Sequence, residues 1–333
     1  MFSSHVLAID PERVAAEIEA VIRKQVSQIL HRRGAVVGVS GGIDSAVTCM
    51  LCARALGPDR VLALFMPERA SASESLELGK AVVSAAGVRS ELVPIAPVLE
   101  AAGCYRYQTE AVRSVIPDYQ ESWGMKIVLP SILQSDRLNV FSVVVRAPDG
   151  TEHRARLPLD AYLQIVAATN MKQRVRKQTE YFFADLHNYA VAGTPNRLEY
   201  DQGFFVKNGD GAADFKPIAH LYKSQVYALA DYLGVPESIR GRTPTTDTYS
   251  LPQTQEEFYF ALPYHQMDLC LYAKEHGIAT AEVAQAVGLT DEQVRRVFQD
   301  IDAKRRATRY MHVPPLLVES VPVIKHLLCE ATT

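Results

Sequence analysis

Ala35-Val36-Val37-Gly38-Val39-Ser40-Gly41-Gly42-Ile43-Asp44-Ser45-Ala46 is the stretch that decides the fold of this chain. Its first five residues are a short apolar run of small and β-branched side chains, the pattern of a strand buried on both faces. A loop opens at Ser40, and a helix carrying residues 46–56 stops at Gly57-Pro58, where glycine ends the helix and proline prevents its continuation. Strand, glycine loop and helix in that order belong to an open α/β sheet, which places its ligand beyond the carboxyl ends of its strands.

The same alternation extends outward. Asp10-Pro11-Glu12 reads as N-cap, first helical residue and first-turn acid. Val14, Ile18, Val21, Ile22, Val26, Ile29 and Leu30 follow at helical spacing, predicting a helix to about residue 31. Residues 61–65 form the next strand. Ser71 with Glu74 predicts a capping box for a helix ending near Gly87, and residues 91–95 predict a third strand. The expected fold is α/β: a doubly wound, mainly parallel sheet with helices on both faces. Residues 104–157 break this pattern. An apolar run over 140–146 and a second run over 151–157 flank Pro148-Asp149-Gly150 and predict an inserted β-hairpin. A helix over 160–180 and a strand over 188–192 follow, and residues 255–333 predict a helical C-terminal part. With no internal repeat or Gly/Pro-rich linker, residues 1–333 are expected to form a single domain.

Composition narrows the functional classes. Lys and Arg number 35 against 38 Asp and Glu, so bulk charge gives no pull toward nucleic acid or an anionic membrane. No apolar run reaches membrane-spanning length, and no basic-then-apolar leader opens the chain. Five scattered cysteines suit reduced thiols better than a disulfide framework, which points to the cytoplasm.

The chemistry concentrates in the loop. Gly41 and Gly42 allow the backbone to approach an anion closely, and the N–H groups at the helix start would face phosphate oxygens. Ser40 and Ser45 add hydroxyl donors. Asp44 would repel bare phosphates, so its presence points to a bridging Mg²⁺. The pattern is neither Gly-x-x-x-x-Gly-Lys-Ser/Thr nor Gly-x-Gly-x-x-Gly. The bland alternative is a glycine turn at a helix start, with Asp44 merely complementing the macrodipole.

The Ser-Gly-Gly-Ile-Asp-Ser segment resembles the pyrophosphate-binding loop of the ATP pyrophosphatase superfamily, whose members form AMP-activated intermediates. Three downstream stretches make the resemblance more specific: Asn170-Met171-Lys172-Gln173-Arg174-Val175-Arg176, the turn Gly193-Thr194 through Glu199, and the loop Gly203-Phe204-Phe205 through Asp214. Leu221-Tyr222-Lys223 and Thr243-Pro244-Thr245-Thr246-Asp247 continue the series. Together with the Ser40 loop they are similar to the ammonia-dependent branch of the NAD synthetase family over roughly residues 14–307. The resemblance implies an ATP-dependent ligase that adenylates the nicotinate carboxylate of deamido-NAD and transfers ammonia to give NAD, AMP and pyrophosphate. It implies ATP contacts at Ser40, Gly41, Gly42, Asp44, Ser45, Thr194, Lys223 and Thr245. It implies Mg²⁺ carboxylates at Asp44 and Glu199, and catalytic roles for Asp44, Glu199 and Lys223. Deamido-NAD would meet Arg174, Lys207, Asp210, Asp214 and Lys304. A homodimer is expected on the same ground.

The sequence also departs from the family pattern. Residues 104–157 are longer than in most ammonia-dependent members; Pro195 and Asn196 replace the usual Asp and His; Ala303 stands where a His precedes Lys-Arg. A ligase amidating another carboxylate, or a non-catalytic nucleotide-binding regulator, are the competing readings. About 35 residues precede the loop strand, too few for a fused glutaminase, and Phe2 stands where an N-terminal catalytic cysteine would be. Free ammonia, or ammonia from a separate glutaminase, is therefore expected. Cys49-Met50-Leu51-Cys52 lies in an apolar helix and reads as core, and the nine histidines lack ligand spacing. Residues 280–306 resemble a helix-turn-helix, but Asp291, Glu292, Asp300 and Asp302 offset their basic residues and favour a packing unit.

Overall fold

The computed structural model describes residues 2–128, 141–243, 245, 249–260 and 262–321. Helix α1 (Pro11–Arg23) starts where expected, with the Asp10 carboxylate accepting from the backbone N–H of Glu12 and Arg13. It passes into a π-helical turn, Lys24–Ile29, before reaching the predicted end. Strand β1 (Ala35–Gly38) leads through the Ser40 loop into α2 (Ile43–Leu56). Strand β2 (Val61–Phe65), α3 (Ser73–Ala86) and β3 (Arg89–Leu92) follow. Next come α4 (Ala96–Ala101) and α5 (Cys104–Arg113).

After α5 the chain forms β4 (Gly124–Val128), β5 (Ser142–Arg146) and β6 (Glu152–Arg156). Helix α6 (Leu159–His187), β7 (Ala190–Ala192), α7 (Arg197–Gln202), α8 (Lys223–Tyr232) and α9 (Glu237–Arg240) return to the main layer. Helices α10 (Tyr264–Glu275), α11 (Thr280–Val287) and α12 (Asp291–His312) make the helical C-terminal part.

The main sheet is parallel, in the order β3-β2-β1-β7. Strand alternation sends Ala35, Val37, Val61, Ala63, Phe65, Ala190 and Ala192 into one core with α1, α2 and α8. Val36, Leu62, Leu64 and Val191 enter the other, against α4, α5 and α6. Both faces are covered, which explains the near-continuous apolar runs. A buried ion pair, Lys172 to Glu68 at 3.0 Å, ties α6 to the turn after β2.

Several expectations need correction. The third strand is Arg89–Leu92, exposed at the sheet edge, whereas buried Ile95 sits under the start of α4. Ser71 does not cap α3: its hydroxyl accepts from the Glu68 N–H, and Ala72 occupies the cap position. The expected hairpin exists as β5 and β6, but β4 adds a third antiparallel strand, in the order β4-β5-β6. This second sheet packs Met125, Ile127, Val143 and Val145 against Ala111 and Val112 of α5 and Ile165 of α6. The hairpin residue Val140 and the Thr246–Asp247 end of the Thr243 motif lie outside the described residues.

Cys49 and Cys52 are buried in α2, where burial raises both thiol pKa values, Cys49 to about 12. The apolar faces of α11 and α12 share a core with α10, and Arg295 and Arg296 pair with Asp291 and Glu292 one turn away. Among the described residues no helix is long and apolar enough to cross a membrane.

Candidate active site

The loop after β1 is held in shape by its own serines. Ser45 Oγ donates to the Gly42 carbonyl at 2.9 Å and accepts from the Ser40 N–H at 3.2 Å, while Ser40 Oγ accepts from the Gly42 N–H at 3.3 Å. Gly41 has φ +80°, and a Cβ there would come within 2.4 Å of the Ser75 carbonyl oxygen. Only glycine fits both the dihedral and the space. Gly42 is the N-cap of α2, so the free N–H groups of that helix open onto a cavity of about 1150 Å³.

The cavity brings distant carboxylates together. Asp44, in the first turn of α2, receives Lys223 Nζ on Oδ2 and Asn196 Nδ2 on Oδ1, the latter at 3.0 Å. Lys223 begins α8 and is almost fully buried. Burial opposes its charge, but Asp44 and Glu199 outweigh that effect and raise its pKa. Asn196 is the N-cap of α7 and exchanges bonds with Glu199: its Oδ1 accepts from the Glu199 N–H, and Glu199 Oε2 accepts from the Asn196 N–H. Asn196 Nδ2 also reaches Glu199 Oε2 at 3.0 Å, so one amide group contacts both carboxylates.

Glu199 is half-buried at the cavity wall; desolvation first, then the Asp44 charge, raises its pKa from 4.5 to about 8. A cation between the two carboxylates would relieve that repulsion, and hard oxygen donors of this kind suit Mg²⁺. Asp268 of α10 supports the arrangement from behind, accepting from the N–H groups of Lys223 and Ser224 at 3.1 and 2.7 Å.

Ser40, Gly41, Gly42, Ser45, Thr194 and Thr245 line the same cavity, as do Asp210 and Lys304. Asp210 is half-buried and accepts from the Val206 N–H at 2.7 Å. Lys304 lies 2.6 Å from Asp300 and donates to the Tyr259 carbonyl; burial lowers its pKa against the influence of Asp300. Arg174, Lys207 and Asp214 are absent from the cavity lining. Arg174 Nε donates to the Lys207 carbonyl, Lys207 Nζ donates to the carbonyls of Tyr310 and Val313, and Asp214 accepts from Tyr181 Oη and the Val191 N–H. These three therefore form contacts beside the cavity in this chain.

Sequence reasoning missed four site residues. Asn196 was visible only as a departure from the family pattern, although Asn-x-x-Glu is itself a capping-box signal. Gln255, whose Nε2 donates to Glu199 Oε1 at 3.1 Å, and Asp268 carry no local signal. Glu180 lines the cavity, paired with Lys177 at 2.6 Å. It packs where a Cβ on Gly38 would lie 2.8 Å from Glu180 Oε1.

A model of the NAD synthase family matches residues 14–117 and 147–309. The NH(3)-dependent NAD(+) synthetase of Mesorhizobium japonicum is 59% identical over 311 residues, covering 93% of this chain and 98% of its own. The protein of the same name from Thermotoga maritima is 39% identical over 252 residues, covering 76% and 84%. Among solved structures, an NMN synthetase from Francisella tularensis superposes with a TM-score of 0.64 at 21% identity, over 94% of this chain and all of its own. The NH3-dependent NAD synthetase from Campylobacter jejuni gives 0.60 at 23%, over 93% and 100%. At those identities the structural likeness concerns the fold.

Proposed function

Because the chain belongs to the NAD synthase family, we infer that its cavity carries out ammonia-dependent NAD synthesis. The nicotinate carboxylate of deamido-NAD attacks the α-phosphorus of ATP, pyrophosphate leaves, and an acyl-adenylate forms. Ammonia then attacks the acyl carbon; AMP leaves with the former carboxylate oxygen, and one proton is released. The observation that carries this reading is the convergence of Asp44, Lys223, Asn196 and Glu199 at the mouth of the Ser40 loop.

Each group has a physical task. The N–H groups at the start of α2 and the hydroxyls of Ser40 and Ser45 bind ATP phosphates, with Gly41 and Gly42 giving the close approach. Thr194 and Thr245 line the path of the nucleotide. Lys223 offsets charge building on the departing pyrophosphate, acting in a site where water screens little. Asp44 and Glu199 are the residues that would hold Mg²⁺, which when bound supplies further neutralisation of phosphate charge. Asp210 and Lys304 face the acceptor side of the cavity. Arg174, Lys207 and Asp214 bind the part of deamido-NAD that extends beyond it. No covalent protein nucleophile is required, and positioning with charge stabilisation supplies most of the rate.

The surroundings follow from the same reading. The chain works in the cytoplasm on free ammonia, or on ammonia from a separate glutaminase. It acts as a homodimer: Leu163, Phe182 and Leu186 stand exposed on α6, apolar surface suited to a second copy. Light scattering tests that state. The reaction is tested by incubating the protein with ATP, Mg²⁺, ammonium and deamido-NAD while following NAD, AMP and pyrophosphate. Equimolar formation of all three is expected. AMP release with another carboxylate, and none with deamido-NAD, would overturn the acceptor assignment.

A further inference from the structure

We propose that the inserted strand β4 braces residues 249–260 as a preformed wall of the active-site cavity, with Gln253 as the positioning residue. The inference rests on the function proposed above. Strand β4 lies between the two stretches matched by the family model, so the brace is an addition to the shared frame.

The argument begins with an exposed sheet edge. Strand β4 is terminal in the β4-β5-β6 sheet, and an unpaired edge offers a row of backbone donors and acceptors. Residues 250–253 occupy that row. The Met125 N–H donates to Ser250 Oγ at 2.9 Å, the Leu251 N–H donates to the Met125 carbonyl at 3.1 Å, and Gln253 Nε2 donates to the Ile127 carbonyl at 2.7 Å. Met125 and Ile127 turn their side chains into the core beneath the sheet, as alternation requires. Tyr249 enters that same core, and Leu251 packs so closely that a Cβ on Gly124 would meet its Cδ2 at 2.5 Å. Gln253 is 2% exposed, a buried amide that makes its bond to a backbone carbonyl of the inserted strand.

The braced segment then reaches the chemistry. Gln255 donates to Glu199, the Tyr259 carbonyl accepts from Lys304, and Phe258 lines the cavity. One wall thus touches both a carboxylate assigned to the cation and the lysine assigned to the acceptor. A wall that is already formed costs substrate binding nothing for ordering. Without the brace, only a fraction of molecules would hold the wall in place, and apparent affinity would fall by that fraction. Saturating substrate would restore the wall, so the turnover rate should survive.

The test compares the wild type with Gln253→Leu, which keeps the volume and removes the donor, and with Ser250→Ala. Ser250 is exposed, so its truncation leaves the folded chain available for measurement. The expected result for Gln253→Leu is a rise of about ten-fold in KM for both ATP and deamido-NAD with kcat within about two-fold. Ser250→Ala should change in the same direction by less. Limited proteolysis within residues 249–260 should quicken in both variants and slow again on adding ATP. Unchanged KM values and unchanged cleavage in both variants would overturn the proposal, as would a loss confined to kcat. A wild type that makes no NAD would overturn the function, while the proteolysis comparison would still judge the brace.

Discussion

Lys223 and Asp44 lie 179 residues apart in sequence and form a buried ion pair between the first turns of α8 and α2. The pair places a cation directly beside the carboxylate that follows Gly41 and Gly42. Removing either partner leaves the other charged, largely buried and without its nearest counter-charge. Lys223→Met should therefore lower kcat by about 10²–10³-fold, the scale of losing one preorganised charge in a water-poor site. Burst measurement of AMP formation checks it; a rate within a few-fold of wild type would remove Lys223 from the chemistry.

The raised pKa of Glu199 has a definite pH consequence. Its folded value of about 8 lies above its usual 4.5, so between those values the folded state holds a proton that the unfolded state has released. Stability from this group is complete below about pH 4.5 and is lost as pH rises through about 8. Glu199→Gln should remove that slope, so the variant melts higher than wild type near pH 8 when ATP and Mg²⁺ are absent. Thermal melts across pH 5–9, a range chosen to span roughly this window, make the comparison. Parallel curves would contradict the assignment.

Asp268 caps α8 and holds the backbone on which Lys223 sits. Asp268→Ala should cost about 1–2 kcal/mol, the scale of a lost N-cap, and should also reduce activity by displacing Lys223. Asp268→Asn, which can still accept one backbone bond, should recover part of both. Urea unfolding alongside steady-state kinetics separates the two effects.

Lys304 lines the cavity, close to Asp300 and bonded to the Tyr259 carbonyl, and the proposed function assigns it to the acceptor. Lys304→Met should raise KM for deamido-NAD by about ten-fold and leave KM for ATP near its wild-type value, as expected when one substrate loses a binding contact. Equal changes for both substrates would assign the residue to the wall rather than to the acceptor.

The legible parts of the sequence were local. The apolar run before Ser40 and the glycines after it identified β1, its loop and α2, because strand burial and helix capping depend on near neighbours. The third strand was misplaced because Arg89–Leu92 is an exposed edge with no apolar signal, while Ile95 is apolar for the sake of the helix above it. Ser71 and Glu74 had capping-box spacing, but the Ser71 hydroxyl was engaged by the Glu68 N–H. Met125 and Ile127 alternate as a strand should, yet five residues without a turn signal were too short to stand out.

By itself, then, the sequence determined the parallel α/β core, the glycine loop with Asp44 and Ser45 between β1 and α2, and the order of the downstream motifs. These depend on periodicity and on backbone dihedrals that only glycine supplies cheaply. The tertiary structure alone decided that Asn196 joins Asp44 to Glu199, that Asp268 supports Lys223, and that Gln253 bonds to β4 while Gln255 reaches Glu199. Those bonds connect elements far apart in the chain, and a hydrogen bond depends on distance and angle in space, which residue spacing does not encode.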